Sequence, residues 1–197
     1  MRRAILPVLL GVLLPLQAQT QIRCGYHSRR FDLDGRMRFM PGFEGARDFP
    51  RPADDLPQVA LGQLAGQAFA AMAPTHPFDT VFAPITARMG ALATAALAPD
   101  AARGRDYEFD AHWALYVENY LEGLHIPFVH PGLAQTLDLA DYRIELHPQA
   151  TLQIGLARDG EAAFDALPEG SPEQGLRVAA YYWWVFPNLM LNFYPWG

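Results

Sequence analysis

Residues 113–130 read WALYVENYLEGLHIPFVH, and the fold and chemistry expected of the chain both turn on this stretch. Trp113, Tyr116, Val117, Tyr120 and Leu124 recur at three- and four-residue steps and predict one apolar helical face. Glu118, Glu122 and His125 follow the same spacing on the neighbouring stripe, so their polar groups project together. Pro127 removes a backbone donor, which predicts a break just after Ile126. The break matters for His130, because residues five apart on a straight helix point about 140° away from each other. With the proline between them, His125 and His130 face a common point. Two imidazoles and a carboxylate converging on a bend suggest a metal site of the two-His, one-carboxylate kind. Spacing alone fits equally well a core helix that leaves polar residues on its solvent side. A di-iron bundle also uses Glu-x-x-His, but it needs the motif twice plus two further glutamates, and this chain has it once.

The run Asn119, Tyr120, Leu121, Glu122, then His125 and His130, resembles the iron-binding helix of Rieske non-heme iron oxygenase α subunits. These form the ring-hydroxylating dioxygenase and choline monooxygenase group. A second motif of that family lies upstream. Cys24-Gly25-Tyr26-His27, followed by Phe31-Asp32-Leu33-Asp34-Gly35, is similar to the second ligand loop of a Rieske cluster and the turn after it. Gly25 replaces the usual proline and Ser28-Arg29 the usual Gly-Trp, which changes loop packing and not ligand type. The resemblance extends over roughly residues 22–197. It implies that His125 and His130 bind a mononuclear Fe(II), and that Glu122 bridges an iron histidine to a cluster histidine of the neighbouring subunit. Asn119 supports the site, while Cys24 and His27 bind a [2Fe–2S] cluster. A cluster needs two thiolates on one iron and two imidazoles on the other. Residues 1–23 contain neither Cys nor His, so only half that set is present. The carboxylate that completes the iron triad falls beyond Gly197 in the family pattern, and Asp138, Asp141 and Asp165 do not match it. A fragment is the expectation.

The resemblance further implies an α+β fold: the C-terminal half of a Rieske-type β domain, then a truncated helix-grip (START-like) catalytic domain with an antiparallel sheet. Expected partners are O2, an aromatic or related small organic substrate, and a separate NAD(P)H reductase or ferredoxin. Because the acid bridge crosses subunits, a homotrimer is expected. Quaternary ammonium compounds suit a Trp- and Tyr-rich pocket as well as aromatic rings do. The alternative is a non-catalytic helix-grip ligand binder, or a vestigial fragment.

Composition sets the outer bounds. At 197 residues, 51% apolar and 18% charged, the chain has a globular composition. Fifteen basic against 21 acidic residues, net −6, argue against nucleic-acid binding. One cysteine excludes an internal disulfide framework. Residues 1–23 read as a signal-like or displaced N-terminus, with Arg2 and Arg3 ahead of an apolar run over 4–16 and a small-residue zone at Ala18. That run is too short to span a membrane. The family works in the cytoplasm; export is the alternative if residues 1–23 act as a signal. The domains expected are 1–23, a partial Rieske domain over 24–57 and a catalytic domain over 58–197.

Elsewhere, Asp34-Gly35 predicts a hairpin turn, and residues 41–57 a proline-rich connection. Ala-rich residues 61–72 and 78–97 predict helices, and 103–110 a short strand. Strands are expected over 142–146, 151–157 and 178–186. A turn at Asp159-Gly160 leads to a return over 162–164, and one at Pro187-Asn188 to a return over 189–194. Trp183, Trp184, Phe186 and Tyr194 are read as core, and His76, His112 and His147 as surface residues.

Overall fold

The computed structural model describes residues 20–90, 92, 97–98, 100–164, 167 and 169–196. Most of the signal-like N-terminus, the distal part of the helix expected over 78–97, and Asp165 lie outside the described residues. The chain divides after Val59 into two compact units, each with its own packing.

The first unit carries a three-stranded antiparallel sheet, β1 (Ile22–Arg23), β2 (Arg30–Phe31) and β3 (Met37–Phe39). Phe31 and Met37 pair across β2 and β3 and are its buried apolar residues. The expected turn is present. Asp32 accepts backbone N–H bonds from Asp34 and Arg36 through Oδ1, and Gly35 sits at φ +83°. A left-handed residue there favours glycine.

In the second unit, residues 61–72 are not helical. They form the hairpin β4 (Ala60–Leu64) and β5 (Gln67–Ala71), closed by Ala65 at φ 49° and Gly66 at φ 76°. Two consecutive left-handed residues make the tight turn whose twist suits a hairpin. Helix propensity is a weak prior, and here packing overrides it. A Cβ on Gly62 would stand 2.1 Å from Phe78 Cγ, so the ring lies directly on the strand backbone. α1 (Phe78–Met89) is shorter than expected and ends at Gly90, whose N–H closes on the Thr86 carbonyl. Residues 103–110 form no strand; they run exposed and unpaired among the described residues.

The main sheet is antiparallel, in the order β6 (Arg143–His147), β7 (Ala150–Leu156), β8 (Val178–Val185) and β9 (Leu189–Phe193). The chain does not return over 162–164. β7 pairs instead with β8 across the long loop, and Phe164 only donates its N–H to the Val178 carbonyl. One sheet face, with Leu152, Ile154, Tyr181, Trp183 and Val185, packs on Phe82, Ile85 and Met89 of α1. Alternation puts Gln153, Tyr182, Trp184, Asn192 and Tyr194 on the opposite face. β8 is thus covered on both sides, as its unbroken apolar run predicts. Arg88 of α1 ties the two layers together. Its guanidinium donates to Glu145 on β6 at 2.6 Å and to the buried Glu173, which also accepts from the Tyr181 hydroxyl.

Phe186 is a correction to the expected core: it is 61% exposed at the β8–β9 turn. His147 is corrected in the other sense. Its ring is half-buried with its centre 5.3 Å from that of Trp183.

Candidate metal centre

The helix that carries the histidines starts where the sequence places it and stops earlier. α2 (Trp113–Leu121) is capped by His112, whose Nδ1 accepts the Ala114 N–H at 3.3 Å. The break falls at Glu122, whose backbone is extended at φ −112° and ψ 146°, and not at Pro127. The physical cause is local competition for backbone donors. Glu122 Oε2 accepts the N–H groups of Leu124 at 2.6 Å and His125 at 3.2 Å, bonds that a continuing helix would have used. Pro127 then lies in the first turn of α3 (Ile126–Val129), where a missing N–H costs nothing. Glu118, Glu122 and His125 therefore do not form one helical stripe. Of the apolar face predicted on this segment only Val117 is buried; Tyr120 is half-buried, and Trp113, Tyr116 and Leu124 are exposed.

The consequence is a single helical turn with a histidine at each end. His125 occupies the N-cap of α3 and His130 its C-cap, with the His130 N–H bonded to the Ile126 carbonyl at 3.0 Å. Their ring centres are 5.0 Å apart with planes at 76°. Glu122 Oε1 accepts from His125 Nδ1. α4 (Pro131–Thr136) follows directly. Burial works against charge on Glu122, but the His125 ring and the two N–H donors outweigh it and hold its carboxyl below the usual range.

These residues fit a metal in two respects. A divalent ion bound at about 2.1 Å by one nitrogen of each ring, with a right angle between the bonds, sets the ring centres roughly 4.6 Å apart. The spacing of 5.0 Å is close to that. With Nδ1 of His125 engaged by a carboxylate, Nε2 is left as the donor, the arrangement that orients metal-binding histidines. Among the described residues no third ligating side chain completes a metal-binding set with the pair. Asp138 caps Ala140, and Asp141 is paired with Arg143, so neither turns to the histidines. Asn119 is exposed on α2 and takes no part in these hydrogen bonds.

Behind the break lies a polar layer that sequence reasoning missed. Gln153, 2% exposed in the middle of β7, donates from Nε2 to the Tyr120 carbonyl at 2.8 Å. The Tyr142 hydroxyl donates to Gln153 Oε1 at 3.2 Å. The Tyr120 hydroxyl donates to Asn192 Oδ1 at 2.6 Å. Burial pushes both phenols, Tyr120 and Tyr142, well above the usual range, so they remain neutral donors. The one available signal is a lone glutamine inside the apolar strand TLQIGL.

In the first unit, Cys24 and His27 sit on one tight loop. The His27 N–H donates to Cys24 Sγ at 3.3 Å, and the Ser28 N–H closes on the Cys24 carbonyl at 3.0 Å. Backbone donors at His27 and Tyr26, with the Arg29 charge, lower the Cys24 thiol pKa against the effect of burial. The loop carries one thiol and one imidazole.

Fold and site place the second unit among mixed α+β proteins with a histidine pair at a helix break against an antiparallel sheet. Residues 99–196 match the ring hydroxylating alpha subunit (catalytic domain) family. The carnitine monooxygenase oxygenase subunit of Escherichia coli (strain K12) is 30% identical over 185 residues, which is 91% of this chain and 46% of that one. The chloroplastic choline monooxygenase of Arabidopsis thaliana is 38% identical over 96 residues, 47% of this chain and 21% of that one. A solved quaternary ammonium Rieske monooxygenase shares the fold at a TM-score of 0.67 and 23% identity, over 90% of this chain and 47% of that one. Over residues 99–196 the chain belongs to the ring hydroxylating alpha subunit (catalytic domain) family. It spans about half the length of the carnitine monooxygenase subunits it matches. No helix among the described residues is long and apolar enough to cross a membrane.

Proposed function

We propose that this chain is oxygenase-subunit sequence of a Rieske monooxygenase that hydroxylates a quaternary ammonium compound with O2. One observation carries the reading: α3 is a single turn with His125 and His130 at its ends and Glu122 bonded to His125 Nδ1. In this reading His125 and His130 hold Fe(II), and Glu122 fixes the tautomer and orientation of His125. Asn119 supports the helix beside them. When bound, the iron supplies dioxygen activation at its open positions. Cys24 and His27 contribute their thiolate and imidazole to a [2Fe–2S] cluster, charged by a separate NAD(P)H reductase or ferredoxin. A homotrimer and a cytoplasmic location complete the proposal.

The substrate class rests on the names of the relatives, carnitine and choline monooxygenases, and on the sheet. Tyr182, Trp184 and Tyr194 share the face on which the Tyr120 hydroxyl meets Asn192, and aromatic faces attract a quaternary ammonium group. This narrows the aromatic-or-related substrate expected from sequence. The test is anaerobic Fe(II) or Co(II) titration of the full chain, followed by calorimetry with carnitine, choline and naphthalene. One metal per chain is expected, lost in His125→Ala and His130→Ala, with carnitine or choline bound in preference to naphthalene. Metal binding indifferent to both substitutions overturns the site, and a preference for naphthalene overturns the substrate class.

A further inference from the structure

The geometry points to Gln153 as a positioning residue that ends α2 at the point where His125 and His130 come to share one turn. In a continuing helix the Leu124 N–H would bond the Tyr120 carbonyl, four residues back. Here that bond is split between two side chains. Gln153 Nε2 takes the Tyr120 carbonyl at 2.8 Å, and Glu122 Oε2 takes the Leu124 N–H at 2.6 Å. Both halves of this lost helical bond, the Tyr120 carbonyl and the Leu124 N–H, are satisfied. Glu122 alone accounts only for the donor half. Without Gln153 the carbonyl is left facing a sheet whose central strand is buried, and its nearest remedy is to reclaim Leu124.

Gln153 is itself held in orientation. It lies 2% exposed, and the Tyr142 hydroxyl donates to its Oε1 at 3.2 Å, which leaves the amide N–H2 directed at α2. Buried polar side chains persist where their bonds are made, and this one spends its donor on a carbonyl five residues before His125. Its neighbours on β7, Leu152 and Ile154, point into the α1-facing core and touch none of this. Gln153 thus acts through α2 and not on a substrate or metal. The functional consequence rests on the proposed role of His125 and His130 as metal ligands, whereas the effect on backbone conformation does not.

The test compares full-length Gln153→Met, close in size but without a donor, with Leu152→Ala, a core truncation on the opposite face of the same strand. Two readouts are taken: the 13Cα shift of Glu122 in the metal-free chain, and the affinity for Co(II) with its ligand-field spectrum. Gln153→Met is expected to move the Glu122 shift from the extended towards the helical range and to weaken Co(II) binding tenfold or more. Leu152→Ala is expected to lower stability while leaving both readouts in place. A Gln153→Met chain with an extended Glu122 signature and Co(II) affinity within twofold of the parent overturns the inference. Should that variant fail to fold, Tyr142→Phe, which removes only the anchor of Gln153, is expected to move the Glu122 shift the same way and to weaken Co(II) binding about threefold. No movement there overturns it as well. If the parent chain itself binds no Co(II), the metal reading fails and the Glu122 shift alone decides the role of Gln153.

Discussion

Ile126 is the one buried residue of α3, at 5% exposure, while Phe128 and Val129 face outward at 86% and 62%. The turn that brings the two histidines together is therefore seated by a single side chain. Ile126→Ala removes three carbons, about 2.4 kcal/mol of transfer free energy at about 0.8 kcal/mol each, and with the cavity left behind the total is about 3 kcal/mol. If that energy holds α3 in place, the ratio of seated to unseated turn falls by roughly 150-fold. Metal affinity then falls by up to that factor, since only the seated form presents both rings. The assay is urea unfolding beside Co(II) titration, with Leu124→Ala and Phe128→Ala as controls. Leu124 and Phe128 are 82% and 86% exposed, so each control is expected to change stability by no more than about 0.5 kcal/mol and to leave affinity alone. The expected result is a Co(II) affinity ten- to a hundredfold lower in Ile126→Ala only. An Ile126→Ala chain indistinguishable from Leu124→Ala refutes the reasoning, because the turn would then be held by the Glu122 bonds without help from burial.

Glu122→Gln keeps one acceptor oxygen where three N–H donors now converge, so metal affinity should fall about 10- to 100-fold in a direct titration. The same carboxyl gives a pH signature in the metal-free chain. Its folded pKa is depressed, so its contribution is complete above the ordinary glutamate value of about 4.3 and is lost as pH falls through the lowered folded value. Amide exchange at Leu124 and His125 should accelerate in that acid window and not near neutrality. Arg88→Met strands Glu173, whose side chain is 3% exposed, and should cost about 3–5 kcal/mol in urea unfolding; adding Glu173→Gln should recover most of the loss. Gly62→Ala forces a methyl group into the Phe78 ring and should destabilise the chain by about 1–3 kcal/mol, with a smaller effect when Phe78 is shortened to leucine.

What the sequence discloses follows from how local each determinant is. The run over 178–186 is apolar at every position, and only a strand covered on both faces accepts that, so β8 is legible without its neighbours. The hairpin over β4 and β5 is not. Its residues are alanine-rich, and the deciding facts are two left-handed residues and a phenylalanine ring from α1 lying on Gly62, neither of which composition records. His125 and His130 are legible as a pair because a resemblance fixes their spacing, but the sequence points to Pro127 as the break and the structure puts it at Glu122.

The earlier break has a physical source. Periodicity shows where a helix is stable, whereas its end is a competition between the next helical bond and whatever else can satisfy the same groups. At Tyr120 and Leu124 the competitors are Gln153, 33 residues further along, and Glu122, two residues from the donor it takes. The nearby competitor is visible in the sequence as a carboxylate, but its spacing is also that of one more polar group on a helical stripe. The distant one was a single glutamine in an apolar strand, whose meaning depends on the pairing of β7 beneath α2. A proline is neither a sufficient nor a necessary reason for a helix to stop: Pro84 lies inside α1 and Pro127 in the first turn of α3. Where two side chains can divide one backbone hydrogen bond between them, the helix ends earlier, and here that earlier end sets a histidine at each end of α3.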